Sequence, residues 1–321
     1  MSKPFYIERG GEQVFQQPFC AEDVQFFGFG VKADKSKLAA ICDKYLNAPL
    51  NEPLDSSDSR FVPVTGHVLF VFNRLAKLYA APGSPDNNRG WYEEKEGAIW
   101  MLVLDRKHKN LYWFHPYMLV DSSYALCMGR AIYGFPKQYG WFDIPNGPSA
   151  PTEMHVDAVV ARDLDPSCEA KREILFKVRR VGAPALDTAH EKHTSLNSLV
   201  QNVAETLEIG AETLLNFGLE KNLCKDLFKK RIPMVFLKQI RDGVEADRAC
   251  FQSVQECFTE MTEFHTARIF FDRYEVVFED FESHPIRKDL GFKPGPIKVD
   301  VAFWSKFDFE IGLCTELKVA P

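Results

Sequence analysis

The most informative segment of this chain spans residues 128–140 and reads MGRAIYGFPKQYG. Pro136 fixes its own φ angle and favours an extended residue before it, while Gly134 and Gly140 permit tight bends on either side. The sequence therefore predicts that Lys137 is held at a fixed turn. If the surrounding aromatic side chains exclude water, the ammonium form is destabilised, and the neutral amine that forms a Schiff base with a ketone or aldehyde becomes accessible.

This segment resembles the active-site motif of the acetoacetate decarboxylase superfamily, G-R-E-x-x-G-[FY]-P-K-K, in which the first lysine forms an imine with the substrate. The resemblance implies that Lys137 is the Schiff-base lysine of this chain. Acetoacetate decarboxylase is itself a known example of an enzyme whose lysine is activated by its surroundings. Because lysines are mostly solvated, a lysine after a proline turn would be assigned to the surface if it lay outside such a motif.

A glutamate upstream completes the predicted catalytic pair. Residues 92–99, YEEKEGAI, resemble the superfamily strand that supplies the catalytic glutamate, and the alignment places that role on Glu94. Glu93 is the alternative, and a glutamate in a charged stretch is usually solvated. The resemblance implies that Glu94 transfers a proton at the substrate carbon or at the carbinolamine oxygen. A protonated imine accepts electrons well, so this chemistry requires no cofactor and no metal ion.

Residues around the lysine and the glutamate are predicted to bind the substrate, which the resemblance implies is a small carbonyl compound or a keto acid. These predicted substrate-binding residues are Tyr92, Arg89, Arg130, Tyr133, Phe135 and Gln138.

Three departures from the superfamily pattern affect the choice of reaction. Gln138 stands where the decarboxylases have a second lysine, so only desolvation is left to favour the neutral amine of Lys137. Ala131 replaces the glutamate of the motif, and Val24 aligns with the N-terminal arginine associated with decarboxylation. A carboxylate substrate therefore lacks its usual anchor. Three arginines are open either to that role or to a structural one: Arg74, Arg89 and Arg130.

Composition excludes several classes of protein. The chain has 321 residues, 45% of them hydrophobic and 26% charged, with a formal net charge of −6, which is typical of a globular protein and not of a nucleic-acid partner. No leader pattern and no apolar run of membrane-spanning length is present, so we expect a cytoplasmic protein without a membrane partner. The eight cysteines lack the paired spacing of a zinc site or disulfide framework and are interpreted as reduced thiols.

Runs of aromatic and β-branched residues predict strands at 24–31, 61–72, 98–104, 111–120, 154–160, 234–240, 249–261, 268–281 and 299–311. Residues 34–46 instead place apolar side chains on one helical face, with Asp34 as the N-cap. Leucines at helical spacing within residues 183–231 predict a helical insertion. We expect this insertion to cover a cavity mouth or to contact another subunit of a homo-oligomer.

These patterns predict a single domain over residues 1–321, of the α+β class and mainly β. The resemblance implies a strongly bent antiparallel sheet or closed β-barrel around an apolar cavity, with peripheral helices. The first functional hypothesis is a Schiff-base lyase that decarboxylates a β-keto acid through Lys137. The alternatives are an imine-dependent aldolase, dehydratase or cyclase, and a non-catalytic protein that binds small molecules.

Overall fold

Long strands rich in aromatic and β-branched residues make up most of the protein. The computed structural model describes residues 4–8, 13–55, 57–183, 191–193, 196–209 and 231–319. Within them the strands are β1 (Phe19–Lys32), β2 (Phe61–Ala80), β3 (Trp91–Asp105), β4 (Asn110–Val120), β5 (Lys137–Asp143), β6 (Glu153–Val160), β7 (Lys171–Arg180), β8 (Glu191–His193), β9 (Arg231–Arg241), β10 (Ala249–Phe270), β11 (Tyr274–Val277), β12 (Ile297–Lys298), β13 (Val301–Ile311) and β14 (Thr315–Val319). The helices are α1 (Lys35–Cys42), α2 (Ser123–Met128), α3 (Leu196–Thr206) and α4 (Ile286–Leu290), with π-helical turns at Asp43–Asn47 and Gly129–Tyr133 and a 3-10 turn at Ala48–Leu50.

The strand pairing follows a ring. From β4 the successive neighbours are β3, β2, β1, β13, β10 and β9, and β9 returns to β4 through one residue pair, Trp113 with Met234. A second branch leaves β4 in the order β5, β6, β7, β11 and β12. The predicted mainly β fold, a bent sheet around an apolar cavity with few helices, is confirmed.

The sheet is mixed, and most of its ladders are antiparallel. In the described part of the chain β4 runs parallel to β5 and to β9, and the other ladders are antiparallel. A parallel pair needs a connection of about a dozen residues or more. The segment between β4 and β5, which contains α2 and a π-helical turn, supplies that connection.

Alternate residues of each strand face two different cores. On β1, Phe26 belongs to the core around the cavity, whereas Phe27 and Phe29 belong to the core on the opposite face. Gly28 lies on the cavity side, where a Cβ atom would come within 2.4 Å of the Phe303 ring. The period of two along the strand therefore determines which side chains reach the cavity.

β10 joins two strands that the sequence analysis predicts separately. It is continuous from Ala249 to Phe270, and its register against β13 shifts twice between Met261 and Thr266. Several residues around these shifts are exposed, which explains the gap in the apolar pattern. Irregularities of this kind bend a strand while preserving its pairing.

The helix predicted at residues 34–46 is present as α1, followed by a π-helical turn. Asp34 caps it as predicted, since its side chain accepts a hydrogen bond from the backbone N–H of Ser36 at 2.8 Å. The predicted insertion at 183–231 lies largely outside the described residues, and α3 is its one described helix, with Leu199 and Val203 buried. The described helices include none with the length and hydrophobicity needed to span a membrane.

Candidate active site

Lys137 begins β5, where its neighbour across the parallel ladder is Met118 of β4. The chain reaches it through the second π-helical turn, which ends with a 2.9 Å hydrogen bond from the N–H of Gly134 to the carbonyl oxygen of Gly129. Gly134 has a φ angle of +84°, and a Cβ atom there would lie 2.6 Å from Cα of Lys238. The left-handed backbone and the close approach of β9 both require glycine at this position, so the motif fixes the start of β5.

Two carboxylates face the amine of Lys137. Its Nζ atom donates a hydrogen bond to Oε1 of Glu94 at 2.9 Å and lies 3.9 Å from Oε2 of Glu96. Lys137 is 7% exposed and Glu94 is 3% exposed. Asn73 on the neighbouring strand donates to Oε1 of Glu96 at 2.9 Å. An amine and two acids thus share one cluster, in which a proton can move between Lys137 and Glu94 over a hydrogen-bond distance.

Strand alternation explains which glutamates reach Lys137. Glu94 and Glu96 are two residues apart on β3 and face the same side of the sheet, whereas Glu93 is exposed. The structure therefore brings Glu94 next to Lys137 and leaves Glu93, the alternative assignment, in solvent.

The pKa of Glu96 is raised from 4.5 to about 7. Burial is the largest cause, because it disfavours the charged form. The ammonium of Lys137 lowers this pKa, the carboxylate of Glu94 raises it, and the hydrogen bond from Asn73 lowers it. A carboxyl group with a pKa near 7 gains and loses its proton at neutral pH, which suits general acid–base catalysis.

The cluster lies on the wall of a largely apolar cavity. About 160 Å³ of the cavity is open to the centres of water-sized molecules. Leu199 and Val203 of α3 contribute to its wall, together with aromatic residues of the sheet such as Phe26, Trp100 and Phe307. A largely apolar cavity with a few polar groups is the usual form of a small-molecule site.

Three of the six predicted substrate-binding residues line this cavity with Lys137 and Glu94. They are Tyr92, Tyr133 and Phe135. Burial, with the Glu94 carboxylate as a lesser cause, raises the pKa of Tyr92 well above its ordinary value, so its hydroxyl keeps its proton. Burial likewise raises the pKa of Tyr133, whose hydroxyl donates to the carbonyl oxygen of Gly312 at 3.2 Å.

The other three predicted substrate-binding residues do not line the cavity, because each is turned towards another partner. Arg89 pairs with Glu8 and Asp86. Arg130 is exposed and donates to the backbone carbonyl of Lys137 at 3.0 Å, so it supports the turn.

Gln138 follows Lys137 directly on β5, so the alternation of the strand turns it away from the cavity. It is exposed, and its Oε1 lies 2.7 Å from Nε2 of His284. The residue that replaces the second lysine of the superfamily motif thus lies outside the cavity.

The described lining of the cavity contains one lysine or arginine, which is Lys137. Val24, which the sequence analysis aligns with the superfamily arginine, is 1% exposed and lies on the cavity wall. Arg74 does not line the cavity and donates to the carbonyl oxygen of Ile144 at 3.0 Å. None of the three arginines considered as carboxylate anchors reaches the cavity.

The sequence analysis misses five polar residues among the described lining of the cavity, which are Asn73, Glu96, His115, Thr259 and Ser305. A signal existed for Glu96, because it lies two residues after Glu94 on one strand. Asn73 faces Glu96 across the β2–β3 ladder, a pairing that the sequence alone does not give. A signal existed for His115 too, because it continues the alternation of Leu111 and Trp113, which face the cavity side of β4.

One described group of three side chains has donor atoms close enough to share a metal ion. Asp23, His265 and Asp308 have such atoms within 4.8 Å of one another. The group lies outside the cavity lining, and the ammonium of Lys306 already lies 2.6 Å from Asp23. A cation is thus in place beside these carboxylates, and we assign no metal site to them.

No family model matches the sequence, and no curated protein matches it. Solved structures, however, share its fold over nearly the whole chain. Acetoacetate decarboxylase from Legionella pneumophila subsp. pneumophila str. Philadelphia 1 superposes with a TM-score of 0.59 at 14% identity, covering 99% of this chain and 93% of that one. An acetoacetate decarboxylase-like enzyme from Sphingomonas wittichii RW1 gives a TM-score of 0.56 at 11% identity, covering 99% and 100%.

The enduracididine biosynthesis enzyme MppR, complexed with pyruvate, gives a TM-score of 0.55 at 12% identity, covering 94% of this chain and 91% of that one. The chain therefore has the acetoacetate decarboxylase-like fold, as the residues around Lys137 predict. At these identities the likeness establishes the fold, and the chemistry must be argued from the site.

Proposed function

We propose that this protein is a lyase that forms a Schiff base between Lys137 and a carbonyl compound. The observation that carries the proposal is the buried amine of Lys137 on the wall of an apolar cavity, 2.9 Å from the carboxylate of Glu94. A buried lysine that served only as a structural cation would not need a cavity beside its amine. The cavity provides room for the carbonyl carbon that the amine attacks.

Imine formation needs proton transfers that Glu94 is placed to perform. Nζ of Lys137 gives a proton to Glu94, and the neutral amine then forms a bond to the carbonyl carbon while the π electrons move to the oxygen. Glu94 passes a proton to this oxygen and receives one from the nitrogen, which gives the neutral carbinolamine. A further proton on the hydroxyl allows it to leave as water, and the nitrogen lone pair completes the protonated imine.

The protonated imine then accepts the electrons of a carbon–carbon bond. In an aldol-type cleavage the Glu94 carboxylate takes the proton of the hydroxyl group on the departing fragment, which leaves as an aldehyde or ketone, while the electron pair of the broken bond forms the double bond of an enamine and the nitrogen loses its positive charge. A proton from Glu94 returns to the carbon, and water releases the product by the reverse of imine formation. Glu96 supports this cycle, because a pKa of about 7 lets it hold or return a proton near neutral pH.

The charges in the cavity favour a carbonyl substrate without a carboxylate at the imine. Glu94 and Glu96 offset Lys137, which is the one lysine or arginine among the described lining residues. A substrate carboxylate would be desolvated there without a second cation. We therefore favour aldol-type cleavage or condensation. The MppR structure that holds the condensation product of pyruvate and imidazole 4-carboxaldehyde, with a TM-score of 0.51, supports condensation chemistry on this fold.

Decarboxylation of a β-keto acid is the second candidate, and the fold shared with acetoacetate decarboxylase favours it. The two reactions differ in their products.

The protein should be incubated with a panel of β-keto acids, and separately with neutral ketones and aldehydes, with and without borohydride. Carbon dioxide release identifies decarboxylation, and a new carbon–carbon bond identifies condensation. A protein that binds these compounds without any trapped adduct or product would be a binding protein, and the proposal would fail.

A further inference from the structure

His115 is a buried side chain whose hydrogen-bonding capacity is unused. It is 1% exposed and lines the cavity, and among the described residues neither Nδ1 nor Nε2 has a hydrogen-bond partner. Buried polar groups in proteins are nearly always paired, because an unpaired group loses its bonds to water without replacement. An imidazole with two unused nitrogens on a cavity wall therefore indicates a partner that enters the cavity.

Aromatic rings fix the orientation of this imidazole. The Trp100 ring meets it edge to face with 4.4 Å between ring centres, and the rings of Phe135 and Phe236 each lie 5.8 Å away. Burial, and secondarily the ammonium of Lys137, lowers the pKa of His115 to about 3, so the ring is neutral. A neutral imidazole carries one donor and one acceptor. Its partner is thus an uncharged group that can donate or accept a hydrogen bond, since a charged group would be desolvated without a countercharge.

The Phe135 ring lies near both His115 and the amine of Lys137, so its position sets an upper limit on the distance between them. Nζ of Lys137 lies 5.4 Å from the centre of the Phe135 ring, and the His115 ring centre lies 5.8 Å from the same point. The amine and the imidazole are therefore at most about 11 Å apart. That upper limit leaves room for a six-membered ring with a carbonyl on one side and a hydrogen bond of about 2.8 Å on the other.

The size and the walls of the cavity agree with a ring of this kind. Its 160 Å³ is close to the roughly 150 Å³ of an engineered apolar cavity that holds benzene. Aromatic walls favour a flat ring, which they contact by stacked or edge-to-face packing.

We propose that His115 forms the distal end of the substrate site and hydrogen-bonds a hydroxyl group carried by a single-ring aldehyde or ketone. This inference names the substrate class and rests on the proposed function for the role of Lys137. The hydrogen bond positions the ring, and it selects against the same ring without the hydroxyl, because that analogue leaves the imidazole unpaired.

The test uses two matched pairs of probes. 4-Methylphenol and toluene differ by one hydroxyl and cannot form an imine, so their binding by titration calorimetry reports on His115 independently of Lys137. 4-Hydroxybenzaldehyde and benzaldehyde differ in the same way and can be trapped with borohydride. The test variant is His115→Phe, which keeps an aromatic ring but removes both nitrogens, and the control is His108→Phe, at an exposed position. His115→Leu serves the same purpose if the phenylalanine variant does not fold.

We expect the wild type and the control to bind 4-methylphenol at least about tenfold more tightly than toluene. His115→Phe should lose that preference while binding toluene as well as before. A preference that persists in His115→Phe, or that is absent from the wild type, would overturn the inference. If the phenol preference depends on His115 but neither aldehyde is trapped, the proposed function fails and the subsite stands. If both aldehydes are trapped equally and there is no phenol preference, the subsite fails and the proposed function stands.

Discussion

Gly129 lies directly against the stem of Lys137: a Cβ atom at position 129 would come within 2.5 Å of Cδ and 3.0 Å of Cε of the lysine. The backbone of Gly129 is ordinary for a helix, with a φ angle of −59°, so alanine is disfavoured there only because the lysine stem occupies the space. Position 129 therefore favours glycine because the lysine side chain occupies the space of a Cβ atom. The backbone conformation at this position would accept other residues.

Gly129→Ala should displace Lys137 more than it destabilises the protein. We expect trapping of an aldehyde on Lys137 to slow by about 10²-fold, the effect of a displacement of about 1 Å in a catalytic group. Overpacking should lower the free energy of unfolding by about 1–3 kcal/mol, which denaturant titration measures. The control is Gly83→Ala, where an added Cβ meets no atom within 4 Å. If Gly129→Ala traps the aldehyde at the wild-type rate, the side chain of Lys137 can shift without slowing imine formation, and the prediction is wrong.

Glu94→Gln should reduce turnover by about 10²–10⁴-fold, because it removes the proton carrier closest to Lys137 while preserving size. Glu93→Gln is a matched control, since that adjacent residue is exposed and should leave turnover nearly unchanged. Steady-state kinetics with a compound that the wild type turns over measures both variants. A larger loss of turnover in Glu93→Gln than in Glu94→Gln would show that Glu93 is the proton carrier.

Glu96 should make the stability of the protein depend on pH. Because the folded state raises its pKa from 4.5 to about 7, the folded protein holds a proton at Glu96 that the unfolded chain releases in this range. The free energy of unfolding contributed by this group is therefore greatest below pH 4.5, falls as the pH rises to about 7, and is constant above it.

Glu96→Gln lacks this titration and provides the reference. The difference in unfolding free energy between the wild type and Glu96→Gln should decline between pH 4.5 and 7 in denaturant titrations. A difference that stays flat or increases over this interval would mean that the carboxyl is ionised in the folded protein throughout. The comparison cancels the contributions of the other titrating groups, apart from those that contact Glu96.

Free acetoacetate should be turned over weakly or not at all. Its carboxylate would meet Glu94 and Glu96 in a cavity whose described lining has one lysine or arginine, and Val24, which the sequence analysis aligns with the superfamily arginine, lies on its wall. A neutral aldehyde trapped under the same conditions shows that the amine is active. Acetoacetate turnover in the ordinary range of ~1–10³ s⁻¹ would show that another group anchors the carboxylate.

Much of the fold and part of the site could be predicted because the signals are local. The turn around Lys137 and the strand that carries Glu94 are each specified within about ten residues, and the period of two would also have given Glu96 and placed Gln138 on the far side of β5. The parallel pairing of β4 with β5 could not be predicted, because it depends on a helix of six residues. The alternation of β4 would have placed His115 on the side of Leu111 and Trp113, but it does not reveal that both imidazole nitrogens lack a partner among the described residues.

The most direct test of the central claim is to map the adduct formed when the wild type is treated with borohydride and a carbonyl compound that it turns over. The account predicts one adduct by peptide mass spectrometry, on Lys137. It also predicts that Lys137→Arg, which preserves the charge beside Glu94 but removes the nucleophile, folds normally, forms no adduct and has no turnover. An adduct confined to other lysines, or turnover that persists in folded Lys137→Arg, would contradict it.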